Sequence, residues 1–266
     1  MRSTRLFASL AVAACAALIP QPAAAQATVG GYAALGDSYA AGVGTADYIA
    51  TSGECYRGNW AHPAVWAAAN KPATFAFAAC SGATTTDVIN NQLGVLDKST
   101  SLVTITVGGN DIGFSDVLTA CTLGDDQTCV DRTNQAKLYA IVTLPGRLDR
   151  VYTSIHERAP SAEVVALGYP HIAVATGSCA AFSPTKRAAL NSAADILAEV
   201  TAERASTHDV IFKDMRGVFA GHEVCSDKPW LNGLTSPLME SYHPNRDGQW
   251  FGYLAVLDSV VTGSPA

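Results

Sequence analysis

Five short apolar runs, Tyr32–Leu35, Thr74–Ala78, Leu102–Val107, Glu163–Leu167 and Val210–Lys213, read as buried strands. Runs of this kind suit a parallel sheet covered on both faces better than an antiparallel sheet with one wet face. Helical periodicity fills the intervals. Arg147–Arg158 sets Leu148, Val151 and Ile155 on one face. Ser183–Arg204 has Ser183 placed as N-cap, Pro184 at the first helical position, and Leu190, Ala194, Leu197 and Thr201 as the inner stripe. Asp247–Val260 reads as a closing helix with Trp250, Leu254 and Leu257 turned inward. The β-α-β-α alternation predicts a three-layer α/β/α sandwich with a five-stranded parallel sheet and right-handed crossovers. A chain of 266 residues that is 48% hydrophobic can bury one large core. No internal boundary stands out, so a single catalytic domain over 26–266 is expected.

The first residues have the form of a secretory leader. Arg2 and Arg5 precede the apolar stretch Leu6–Ile19, and Pro20-Gln21-Pro22 breaks it before Ala23-Ala24-Ala25. Residues 1–25 are read as a signal peptide cleaved after Ala25, with Ala27 as the second choice. The stretch is shorter than the roughly 20 residues of a membrane span, so no stable membrane insertion is expected. The minor alternative is a lipid anchor at Cys15, in Val12-Ala13-Ala14-Cys15. The apolar run continues past Cys15 to Ile19, which favours a free secreted product. Losing Arg2 and Arg5 takes the formal charge from −6 to about −8. An acidic chain without Lys/Arg clusters is a poor partner for nucleic acid. Six cysteines remain beyond the leader, an even number that suits disulfides in an exported protein. Order along the chain gives Cys55–Cys80, Cys121–Cys129 and Cys179–Cys225, although other pairings are open. No C-x-x-C pair suggests a metal site.

Ligands of an open parallel sheet bind beyond the carboxyl ends of its strands. Three residues suited to acyl transfer gather there: Ser38 after the first strand, Gly82 after the second, and Asn110 after the third. Ser38, in Gly36-Asp37-Ser38-Tyr39, would be the nucleophile. The N–H groups of Ser38 and Gly82 and the side-chain amide of Asn110 would form an oxyanion hole. Glycine suits position 82 because a backbone approaching substrate closely leaves no room for a side chain. Among six histidines, His243 in His243-Pro244-Asn245 is the best general base. Pro244 holds it extended, and Asn245 or Asp247 caps the last helix. Asp37 and Asp111 are assigned to capping and support. Gly108-Gly109 is not a phosphate loop, because no G-K-[ST] follows. Ser38 also fails the G-x-S-x-G elbow, since Ala40 stands where its second glycine belongs. Two long connections follow these residues. Gly44–Ala61 carries Tyr56 and Trp60, and the stretch from Asp111 to Pro145 carries Cys121 and Cys129 and is expected to wall the site.

With these four blocks in order, the chain resembles the SGNH-hydrolase (GDSL-type) superfamily, and within it secreted actinobacterial lipases, esterases and phospholipases A. The resemblance spans almost all of the mature chain. It implies a flavodoxin-like sheet, no cofactor, and hydrolysis of a small-molecule ester or lipid by a monomer. One position departs from the pattern. The family usually places an aspartate three residues before the histidine, and here that residue is Glu240. Either the Glu240 carboxylate or a backbone carbonyl, that of Ser241, would orient the imidazole.

Two other functions fit parts of this pattern. A carbohydrate (acetyl) esterase would use the same machinery, but the four tryptophans form no aromatic ladder. A non-catalytic surface-binding protein would have no need of Ser38, Asn110 and His243 together. The small or apolar residues Ala40–Val43 and Ile112-Gly113-Phe114 are expected at the mouth of the site, where they would suit an acyl chain.

Overall fold

The computed structural model of the protein describes residues 30–263. The leader, its cleavage points at Ala25 and Ala27, and Cys15 lie outside the described residues. Strands β1 (Gly31–Gly36), β2 (Thr74–Phe77), β3 (Thr100–Thr106), β4 (Glu163–Leu167) and β5 (Ile211–Lys213) form one parallel sheet in the order β2-β1-β3-β4-β5. Each coincides with one of the apolar runs to within a residue or two at its ends. Every residue of β1 is buried, so both faces of the sheet centre are covered. The edge strand β2 leaves Thr74 and Phe75 exposed. The chain leaves β1 towards β2 and returns to β3 on its other side. This reversal opens a crevice beyond the carboxyl ends of β1 and β3.

The helices that complete the sandwich follow the sequence pattern where that pattern is apolar. The helix Leu144–Arg158 starts slightly before the expected point and buries Leu148, Val151, Tyr152 and Ile155. The hydroxyl of Ser183 accepts the Lys186 N–H and caps the helix Pro184–Ser206, whose Leu190, Ala194, Leu197 and Thr201 are buried. Disulfides join Cys55 to Cys80, Cys121 to Cys129 and Cys179 to Cys225.

Two segments differ from expectation. The closing element is π-helical over Gly248–Leu254 and α-helical only over Ala255–Thr262. A π turn takes more residues than an α turn and rotates the inward face. Gln249 and Tyr253 therefore point inward with Leu254 and Leu257, while Trp250 is 46% exposed. The long connection after Asp111 is not a loop but a pair of helices, Phe114–Leu123 and Asp126–Val142. The second helix buries Cys129, Thr133, Ala136 and Ala140. These are small or polar residues, so no large apolar stripe marks it in the sequence.

Candidate active site

Ser38 is placed by the end of β1. Gly36 has φ +119°, and a Cβ there would collide with the Thr106 carbonyl of β3, so only glycine lets the chain turn so close to its neighbour. The Asp37 N–H donates to that carbonyl at 2.9 Å. The Asp37 side chain caps the short helix Ser38–Ala41 by accepting the Tyr39 N–H at 3.0 Å. Ser38 thus begins a helical turn, whose first backbone N–H groups have no carbonyl partner within the helix. Gln92 fixes the strand end from below. Its Oε1 accepts the Gly36 N–H at 2.7 Å and its Nε2 donates to the Gly36 carbonyl at 2.9 Å. The Cys80 N–H reaches the same carbonyl at 3.0 Å, which ties the loop after β2 to the strand that carries Ser38.

That loop carries Gly82, and β3 leads to Asn110. The Asn110 amide donates to the Ala83 carbonyl at 3.0 Å. An amide nitrogen has two protons, so a second N–H remains for an oxyanion. Asp111 joins the two loops, accepting the Thr85 N–H at 2.9 Å, the Thr85 hydroxyl at 2.6 Å and Arg147 at 3.1 Å. Glycine at position 82 has a backbone reason beside the expected one. A Cβ would meet no protein atom there, but φ is +79°. The left-handed backbone, not crowding by the protein, requires it. Tyr169 is a support that sequence reasoning missed. Its hydroxyl donates to Asp37 and accepts the Gly109 N–H at 3.1 Å, linking the cap of the Ser38 helix to the Asn110 turn. Burial pushes the Asp37 carboxyl up to about 7.

His243 Nε2 lies 2.7 Å from Ser38 Oγ, and its Nδ1 lies 3.1 Å from the Ser241 carbonyl. A carbonyl only accepts, so Nδ1 carries the proton and Nε2 is free to accept from the serine hydroxyl. The Glu240 carboxylate turns elsewhere and accepts the Tyr48 hydroxyl at 2.7 Å. Between Ser241 and His243, Tyr242 adopts φ +62°. This strained conformation for a bulky residue reverses the chain and lets a carbonyl face the ring two residues ahead. Tertiary bonds hold it. The Tyr242 carbonyl accepts Tyr39 Oη–H at 2.7 Å, its N–H donates to the Asn232 carbonyl at 3.1 Å, and its hydroxyl bonds Thr122 at 2.8 Å. Asn245, not Asp247, uses its side chain at the start of the last helical element, accepting the Gly248 N–H at 3.0 Å. Burial holds the His243 imidazole below its ordinary 6.5, to about 4, against the opposing pull of the Ser241 and Met239 carbonyls. Of the other histidines, His62 is buried and bonds Gln249 at 2.9 Å, while His171 and His208 pair with Asp195 and Asp149.

Replacing Glu240 by glutamine keeps an acceptor for Tyr48 and removes the charge. Near-normal kcat/KM is expected, with the acid limb of the pH profile still below 6.5. The base must be neutral, so activity falls as pH drops through the His243 pKa. A loss of about a hundredfold in the Glu240→Gln enzyme would contradict this account and return the carboxylate to the histidine.

A cleft of about 530 Å³ opens onto His243, with Leu118, Leu123, Leu234, Leu238 and Met239 among its walls. The helix Phe114–Leu123 supplies one side of it. Of the apolar residues expected at the mouth, Ala40, Ala41 and Val43 form a small buried cluster with Ala79 behind the cleft residue Met239, and Ile112 is in the main core.

Residues 34–251 match the GDSL-like lipase/acylhydrolase family. Lipase 1 of Streptomyces coelicolor is 48% identical, over 98% of this chain and 100% of its own length. The crystal structure of phospholipase A1 from Streptomyces albidoflavus NA297 superposes with a TM-score of 0.86 at 50% identity, covering 87% of this chain and 99% of that one. The extracellular lipase of Streptomyces rimosus gives a TM-score of 0.85 at 49% identity, covering 88% and 99%.

Proposed function

The chain belongs to the GDSL-like lipase/acylhydrolase family and is a carboxylic-ester hydrolase, and on that premise we propose that it is a secreted enzyme cleaving acyl esters of lipids with a Ser38–His243 dyad. The observation that carries this reading is the 2.7 Å contact between Ser38 Oγ and His243 Nε2. In the first step Ser38 Oγ attacks the ester carbonyl while His243 Nε2 takes its proton. The Ser241 carbonyl keeps Nδ1 protonated and steadies the imidazolium. The N–H groups of Ser38 and Gly82 and the free N–H of the Asn110 amide receive the oxyanion. His243 then passes its proton to the departing alcohol. Water, deprotonated by the same nitrogen, releases the acid from Ser38. The apolar lining of the cleft beside His243 favours a fatty acyl chain over a sugar.

Secretion is supported by the paired cysteines and by the leader-like start, and one catalytic domain beginning after residue 25 accommodates the whole sheet. The test is to purify the protein from culture medium and assay p-nitrophenyl esters of short to long chains beside a phospholipid and an acetylated xylan. A mature chain starting at Gln26 that cleaves the acyl esters and spares the xylan is expected. Turnover of acetylated xylan alone, or a protein retained on cells through Cys15, would contradict the reading.

A further inference from the structure

Three leucines at the mouth of the His243 cleft are turned out of the protein: Leu123 is 81% exposed, Leu238 73% and Leu234 59%. They come from two separate elements. Leu123 ends the helix Phe114–Leu123, and Leu234 and Leu238 lie on the segment leading to Glu240. All three line the same cleft, so the apolar rim is continuous with the apolar interior. Scattered exposed leucines need no explanation, but a ring of them around an active-site opening does.

We propose that this rim docks the enzyme on an uncharged or zwitterionic lipid surface, placing the cleft mouth against the layer from which the ester is drawn. The proposal builds on the cleft being the ester's site. Charge selects the surface: Asp125 and Asp126 follow Leu123 after Gly124, and the chain as a whole is acidic, so an anionic surface would repel the rim. The rim is fixed rather than folded in as a lid. The Cys121–Cys129 disulfide closes the turn that carries Leu123, and Lys186 Nζ donates to the Gly124 carbonyl beside it at 2.6 Å. Docking therefore needs no opening step, and the open cleft accepts dissolved esters as well.

The test separates docking from chemistry by using Ser38→Ala protein, which binds a surface without consuming it. Its adsorption to phosphatidylcholine vesicles is measured by co-sedimentation, with and without Leu123→Ser and Leu238→Ser. Each substitution is expected to weaken adsorption about tenfold, as withdrawing one leucine from an apolar phase predicts. Adding phosphatidylglycerol to the vesicles is expected to weaken adsorption of the unsubstituted rim. Circular dichroism and the three disulfides check folding of each variant. Adsorption that survives both substitutions, or that is strengthened by anionic lipid, overturns the proposal. So does a dimer in solution that the leucine substitutions dissociate, because the rim would then be covered by a second copy. None of these outcomes depends on whether Ser38 is the nucleophile.

Discussion

Alanine at Ser38 or at His243 is expected to lower kcat/KM by about 10⁴–10⁶, and alanine at both is expected to cost little more than either alone. In the proposed mechanism the two side chains act as one unit. Without the ring, the Ser38 hydroxyl keeps its proton; without the hydroxyl, the ring has nothing to activate. What survives is binding and the oxyanion donors. The dyad adds a further expectation. The group behind Nδ1 is a main-chain carbonyl, so no side-chain substitution removes it. Ser241→Ala should therefore leave activity within a few-fold of normal, because the Ser241 hydroxyl bonds only the Thr235 backbone. Additive losses in the Ser38/His243 double variant would show that the two do not work together.

Asn110→Ala is expected to lower kcat by about 10²–10³ while KM changes little, a loss of roughly 2.7–4 kcal/mol of transition-state stabilisation. The donor is felt only when the carbonyl oxygen becomes negative. Asn110 also donates to the Ala83 carbonyl, so a structural effect must be told apart. The neighbouring loops stay joined through Asp111 and Thr85, and the melting temperature of the variant should shift by only a few degrees. A kcat within about threefold of normal would take Asn110 out of the oxyanion hole.

The five strands of the sheet were legible because strand burial at its centre is apolar and local. Leu190, Leu197 and Leu148 marked their helices for the same reason. The helix Asp126–Val142 was not legible, since Thr133, Ala136 and Ala140 give its inner face no hydrophobic signal. Trp250 was misplaced because a π turn breaks the 3.6-residue period on which an inward stripe is read. In the site, the sequence pointed to Ser38, Gly82 and Asn110 through the strand ends that carry them, and to His243 through the Pro244 that follows it. It left Glu240 and the Ser241 carbonyl in competition. Their geometry depends on Tyr242 at φ +62°, a strained position with no glycine or asparagine to announce it, held by Tyr39, Thr122 and Asn232 from distant parts of the chain. Tyr169 and Gln92 were invisible for a similar reason: each acts through two contacts to backbone or carboxyl groups far away in sequence.

The most direct measurement is covalent trapping with a fluorophosphonate, followed by peptide mass spectrometry. The account predicts a single adduct on Ser38, formed to one equivalent per chain. It also predicts labelling that is slower by about 10³ or more in the His243→Ala enzyme, where no base takes the hydroxyl proton. An adduct on another residue, or labelling of Ser38 at an unchanged rate without His243, would contradict it.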